Sequence, residues 1–356
     1  MSCEKKLFPL PDGRIVEARM PVIVSASRRT DIPAFYADWF FDRLEKGYSL
    51  WTNPFNKQES YVSYRNTRFI VFWSKNPRPL TGKLPVLASK RIGCYIQYTL
   101  NDYEREGLEP NVPPLAERIE TFRLLSDRLG KEAVIWRFDP LLLTDALSID
   151  GLLQKVERIG DWLQGYTEKL VFSYADVEAY RKVRSNLQRG GVAYREWIEL
   201  QMEEFASRLS ALNRRKGWGF TLATCGEKIS LEHFGIVHNA CIDGDLIRHL
   251  AGQDPALMKA MGVQSENVVQ QGDLFAAEDV LPPEATLPPR PCFKKVYRKD
   301  PGQRKACGCM ESKDIGEYDT CPHLCLYCYA NANPQKALAN WEKHKQRPFA
   351  ETITGK

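Results

Sequence analysis

The strongest constraint on the fold is an alternation repeated along the first two-thirds of the chain. Short runs of β-branched and aromatic residues at positions 21–27, 48–52, 69–73, 93–99, 133–138, 170–174, 218–223 and 235–242 each end in polar or turn residues. Amphipathic helical patterns separate several of them. Leu115, Ile119, Phe122, Leu125 and Leu129 share one face, and Leu152, Val156, Ile159 and Leu163 a second; Trp197, Leu200, Phe205, Leu209 and Leu212 mark a third. Strands apolar along their whole length are buried on both faces, and strands joined by helices run parallel. Seven or eight such units predict an α/β fold, a (β/α) barrel of TIM type, complete or partial. Residues 53–68 are too short for a full crossover helix and predict an irregular hairpin.

In this architecture the polar strand ends collect at one rim, where barrel enzymes place their chemistry. The candidate substrate contacts there are Arg28, Arg29 and Asp31 after the first run, Lys75 and Asn76 after the third, and Arg137 and Asp139 after the fifth. The first trio reads equally well as an ion pair capping the first helix. Residues 1–262 thus form a barrel-like domain. Residues 263–292 are polar and then proline-rich, a linker. Residues 293–356 form a basic, cysteine-rich tail with a short helix around 335–345.

Charge adds little except locally. Lys294, Lys295, Arg298, Lys299, Arg304 and Lys305 against Asp300 account for the chain's net charge of +5, so the remainder is balanced. With Phe293 and Tyr297 interleaved, this run is a candidate nucleic-acid contact; the alternative is a solvated linker face. No apolar run reaches membrane-spanning length, and residues 1–20 lack the apolar core of an export signal. The expected location is the cytoplasm, where clustered cysteines hold metal more often than they form disulfides.

Five of the ten cysteines lie between positions 307 and 328. Cys321, Cys325 and Cys328 stand as C-x3-C-x2-C. Three thiolates on one loop can hold three irons of a [4Fe–4S] cube and leave the fourth open, and an open coordination position is what makes a bound metal reactive. The alternative is a structural zinc completed by His323 or an upstream cysteine. Cys307 and Cys309 form a C-x-C, while Cys225 and Cys241 close two successive predicted strands. Together they supply four thiolates for a second [4Fe–4S] cluster or a tetrahedral zinc, unless Cys225 and Cys241 are ordinary buried thiols. Cys3, Cys94 and Cys292 have no assignment. His233, His238 and His249 read as surface or core residues, and Glu227 as a neighbour of Cys225 to be tested by mutation.

The segment CPHLCLYC, with an aromatic before the last cysteine, resembles the signature of the radical S-adenosylmethionine superfamily. TCPHLCLYCYAN is most similar to its spore photoproduct lyase side. The resemblance implies a [4Fe–4S] cluster on Cys321, Cys325 and Cys328, an adenine contact at Tyr327, S-adenosylmethionine as cofactor and an electron-donor protein as partner. It also implies hydrogen abstraction from a substrate, with nucleic-acid repair or modification as the leading class. In that superfamily the motif follows the first barrel strand, whereas here it follows every predicted strand. A circular permutation, or a tail folding back over the rim, would restore the geometry. The glycine-glycine-glutamate element of the superfamily is missing, and Cys225-Gly226-Glu227 echoes it only in part. The whole chain resembles the bacterial family called domain of unknown function eighteen-forty-eight, through SRRTDIP, FWSKNP and the cysteine tail. The competing expectation is a metal-stabilised binding module or redox protein on a barrel without radical chemistry.

Overall fold

The computed structural model describes residues 5–54, 56, 58–263, 297, 299–304 and 307–356. Its centre is an eight-stranded sheet built from β1 (Ile23–Ala26), β2 (Phe69–Ser74), β3 (Gly93–Thr99), β4 (Val134–Leu141), β5 (Lys169–Tyr174), β6 (Thr221–Thr224), β7 (Val237–His238) and β8 (Lys313–Asp314). All pairings in it are parallel, and the spatial order is β8-β1-β2-β3-β4-β5-β6-β7. Seven strands therefore follow the chain, while the last in sequence stands first in space. Among the described residues no pairing joins β7 to β8, so the sheet keeps two edges and a closed barrel is not formed.

Side-chain alternation divides the sheet into two faces. Ile70, Phe72, Ile96, Tyr98, Val134, Trp136, Leu170 and Phe172 pack under α2 (Ala37–Lys46), α4 (Leu115–Leu129), α5 (Ile149–Leu163) and α7 (Glu199–Lys216). The intervening residues, Val71, Tyr95, Ile135, Val171 and Ala223, meet α8 (Gly244–Ala251), α9 (Pro255–Met261) and the segment around Cys309 and Met310. Burying each of these large apolar side chains contributes about 1.5–3 kcal/mol, which is why continuous apolar strands settle between two layers. Local signals set the helix starts. Ser148 caps α5 through Gly151 N–H at 3.2 Å, and Asp243 caps α8 through Asp245 and Leu246 N–H at 3.0 and 3.2 Å.

Two expectations are corrected and one pair of strands is added. Residues 48–52 do not join the parallel sheet. Tyr48–Thr52 pairs antiparallel with Glu59–Ser63, so the hairpin expected within 53–68 takes its first strand from 48–52, because the short connection between them allows only a turn. That hairpin extends a separate four-stranded sheet with Lys5–Pro9 and Ile15–Arg19, neither of which the sequence reading picked out. Leu200 is 73% exposed, since α7 begins at Glu199 and the anchor before it is Trp197, buried with its Nε1 donating to Leu141 O at 3.0 Å. The expected terminal helix is α10 (Pro334–Gln346), capped by Asn333.

The tail is docked by specific bonds. Asp314 in β8 accepts from Ser25 Oγ (3.1 Å), Ser27 Oγ (2.9 Å), Arg28 N–H (3.0 Å) and Arg29 Nη1 (3.1 Å). A Cβ on Gly316 would fall 1.9 Å from Ser27 Oγ, so only glycine allows this close crossing. The loop after β8 then runs over the carboxyl ends of the neighbouring strands.

Candidate metal centres at the strand ends

The loop carrying Cys321, Cys325 and Cys328 rests on residues that follow β1 to β5. Asp31, after β1, caps α1 (Ile32–Phe35) through Ala34 N–H at 3.0 Å and accepts from Ser74 Oγ and Lys75 N–H, both at 2.7 Å. It also lies 2.9 Å from His323 Nε2, while His323 Nδ1 faces Asn111 O at 3.0 Å. Both ring nitrogens of His323 thus already have protein partners. Asn111 Nδ2 donates to Pro322 O at 2.9 Å, and Leu326 N–H to Leu108 O at 2.9 Å. From α6 (Arg181–Arg189), Asn186 Nδ2 donates to Cys328 O and Asn331 O, both at 3.0 Å. Asp319 and Leu324 adopt left-handed φ values of 57° and 56°, which fold the loop back on itself.

Beneath the loop lies a buried polar network. Lys75 Nζ donates to Glu109 Oε1 at 2.6 Å and to Tyr327 Oη at 2.7 Å; Asn101 Nδ2 donates to Tyr327 Oη at 3.0 Å, and Tyr327 Oη–H to Glu109. Arg118 Nη1 stands 3.8 Å from Glu109 Oε2. Burial raises the Glu109 carboxyl, yet Lys75, Arg118 and Tyr327 more than reverse this and hold it below its ordinary value. Burial lowers the Lys75 ammonium, and Glu109 overcomes that and raises it. Lys75 is therefore a buried partner of Tyr327 rather than an open rim cation. Asn101 belongs to the polar end of the run 93–99, whereas Glu109 and Arg118, in a loop and a helix, have no sequence signal of their own.

Burial pushes the thiols of Cys321, Cys325 and Cys328 up, and they lie close enough for charge on one to raise another. Nearby, Lys75 favours the thiolates of Cys325 and Cys328. Three desolvated thiols on one loop are a donor set that suits a cation replacing their protons. Among the described residues, no group of three or more His, Cys, Asp and Glu side chains is arranged to hold a metal ion as it stands. A cleft of about 210 Å³ between α6 and α10 reaches Cys325, Asn186, Arg189 and Gln335; this is below the ~300–1,000 Å³ of ordinary ligand sites.

The second cysteine group assembles on the other face of the sheet. Cys225 Sγ and Cys241 Sγ are 3.2 Å apart. Cys309 Sγ accepts from the N–H groups of Cys241 and Ile242 at 3.1 and 3.4 Å. Cys307, two residues earlier, is hydrogen-bonded to Cys309, which brings its thiol down to about 6. Arg137, 3% exposed, donates from Nη1 to Cys241 Sγ and to Gln97 Oε1, both at 3.1 Å, and binds Asp139 through Nε at 3.1 Å and Nη2 at 2.5 Å. Hydrogen bonding with Cys225 and Cys309, together with the flanking Arg137 and Arg28, holds the Cys241 thiol well below its ordinary value. Cys225 and Cys309 are correspondingly pushed up.

Among the other rim candidates, Arg28 lies over the Trp73 ring at 5.3 Å, and Arg29 pairs with Asp314 and covers Tyr318 at 5.4 Å. Asn76 donates its backbone N–H to Ser74 Oγ at 2.9 Å. Asp139 also accepts from Ser173 Oγ. Glu227 accepts from Tyr174 N–H at 3.0 Å, and burial with Asp139 and Asp176 nearby pushes it up to about 7. His238 is 3.5 Å from Thr224 Oγ1, and His249 meets Glu132. Cys94 packs against the helical layer, its thiol raised by burial to about 12. All eight described cysteines are free thiols. Of the basic run, Arg304 stacks over Tyr180 at 5.1 Å and Lys299 forms a bridge with Met310. Lys294, Lys295, Arg298 and Lys305, together with Cys3 and Cys292, lie outside the described residues. Among the described residues no helix is long and apolar enough to cross a membrane.

No curated protein and no solved structure matches this chain. A family model does match, over residues 23–330, a span from β1 to just past the last cysteine of the rim loop. The chain belongs to that family, described as a domain of unknown function (DUF1848).

Proposed function

We propose that the protein is an iron–sulfur enzyme of the radical S-adenosylmethionine type. The observation that carries this reading is the place of β8. It pairs in parallel with β1, Lys313 against Val24 and Asp314 against Ser25, and the cysteine loop follows it directly. In space the loop therefore comes after the first strand of an eight-stranded parallel series, the position the superfamily uses, although in sequence it comes after the last. On this reading the open parallel series is a circularly permuted partial barrel.

On this reading Cys321, Cys325 and Cys328 are the cluster ligands, and three thiolates leave one iron open. One-electron cleavage of S-adenosylmethionine, for hydrogen abstraction from a substrate, is the chemistry that a cluster held by these cysteines would supply. The chain's own residues do the rest. Asp31 and His323 fix the first half of the loop, Asn186 fixes the second, and the Lys75 ammonium offsets thiolate charge. Glu109, Lys75 and Asn101 hold the phenol of Tyr327, the residue that the likeness assigns to adenine. A nucleic acid is the substrate class that the resemblance implies. The chemistry requires a reducing cytoplasm and an electron donor.

The test is anaerobic reconstitution of the full chain, reduction, and addition of S-adenosylmethionine with chromatography for 5′-deoxyadenosine. Product from the wild type, and none from a Cys321/Cys325/Cys328→Ala variant, is the expected result. A chain carrying about four reducible irons on this loop that forms no 5′-deoxyadenosine refutes the reading and leaves a metal-stapled binding or redox module.

A further inference from the structure

We propose that Cys225, Cys241, Cys307 and Cys309 form a second metal centre: four thiolates with no open position, taking a thiophilic metal as tetrahedral zinc or as an iron–sulfur cluster. The argument is independent of the rim loop and starts from connectivity. Cys225 continues β6, its N–H donating to Phe172 O at 2.8 Å, and Cys241 lies beyond β7. Their sulfurs nonetheless meet at 3.2 Å. The tail segment of Cys307 and Cys309 is laid against them by three backbone bonds. Met310 N–H donates to Ile242 O at 3.0 Å, and Cys309 Sγ takes the N–H groups of Cys241 and Ile242 at 3.1 and 3.4 Å. Backbone N–H groups pointing at a sulfur are the usual support of a metal-bound thiolate.

Charge supplies the second observation. Arg28 stands against Cys241 and Cys309, and Arg137 against Cys241 and Cys225, with Asp139 as the carboxylate partner of Arg137. Arg28 Nη2 is buried and has no hydrogen-bond partner among the described residues, and Arg137 Nη1 donates to Cys241 Sγ at 3.1 Å. These guanidinium groups favour thiolate over thiol at the sulfurs they face; a tetrathiolate centre supplies that negative charge, and the metal takes the place of the thiol protons with no electron transferred in the zinc case. A tetrahedral zinc with bonds of about 2.3 Å sets its sulfurs roughly 3.8 Å apart. The Cys225–Cys241 pair at 3.2 Å must therefore open by about half an ångström to accept an ion, a side-chain adjustment.

The experiment uses the full chain carrying Cys321/Cys325/Cys328→Ala, so that failure of the rim-loop reading does not touch it. The purified variant is analysed for zinc, iron and sulfide, then alkylated before and after chelation, with the labelled cysteines identified by mass spectrometry. The expected result is about one zinc, or iron and sulfide in equal amounts. Cys225, Cys241, Cys307 and Cys309 should be protected until the chelator is added and labelled after it. Adding Cys241→Ser and Cys309→Ser should abolish the metal. No metal in the triple variant, protection unchanged by chelation, or a Cys225–Cys241 disulfide in freshly purified chain overturns the proposal. The alkylation arm needs no further variant, so misfolding of the five-site chain does not block the decision.

Discussion

Glu109 is the residue whose neutralisation tests the architecture beneath the cysteine loop most directly. Its side chain is 1% exposed and faces Lys75 at 2.6 Å and Arg118 at 3.8 Å, while accepting from Tyr327. Glu109→Gln keeps the shape but leaves Lys75 without its counter-charge and Arg118 with Glu104 alone, at 3.9 Å. Removing one partner of a buried pair costs about 3–5 kcal/mol, a large share of the ~5–15 kcal/mol that holds a domain folded. Urea unfolding at neutral pH, followed by tryptophan fluorescence, should therefore show a loss of about 3–5 kcal/mol. In a Lys75→Met background the same change should cost markedly less, with a coupling above about 1 kcal/mol. The pH profile gives the sign independently. Glu109 is held below its ordinary value, so its contribution is present above about pH 4 and disappears as pH falls through the folded value. Lys75 is raised, so its contribution is present below about pH 10 and disappears as pH rises through its folded value. Glu109→Gln should erase the acid limb. A loss under about 1 kcal/mol, or an equal loss in the Lys75→Met background, would refute the reasoning.

Asp314→Asn removes the anion that Ser25, Ser27, Arg28 and Arg29 share, and should cost about 3 kcal/mol while making the tail more sensitive to limited proteolysis. Gly316→Ala forces Ser27 aside and should destabilise the chain by about 1–3 kcal/mol in thermal unfolding, whereas Gly13→Ala at an open turn should cost only the strain of its positive φ. His344 is 4% exposed, stacks on Trp341 at 5.3 Å, and is lowered by burial. Its share of stability is complete above about pH 6.5 and is lost as pH falls through its folded value, so His344→Phe should flatten the melting-temperature profile over that window.

What the sequence determined by itself was the material of the fold. Continuous apolar runs separated by amphipathic helices dictate a parallel sheet between two layers, because such strands have no face to give to water. The short 53–68 interval dictated a hairpin, and the spacing of Cys321, Cys325 and Cys328 put three thiols on one loop. The tertiary structure decided where these pieces go. β8 is two residues long and carries no periodic signal, so nothing local predicts that it would lie beside β1; that position follows from Asp314 meeting four donors from residues 25–29. Cys225 and Cys241 were legible as strand-end residues, but their meeting with Cys307 and Cys309 depends on the tail crossing the far face of the sheet. Glu109 and Arg118 gave no signal, because a buried charge is read from its partners, and those partners are 34 residues or more away along the chain in the case of Lys75 and Tyr327. Sequence patterns report what each segment must bury, whereas long-range charge pairing reports which segments meet, and only folding brings the second into being.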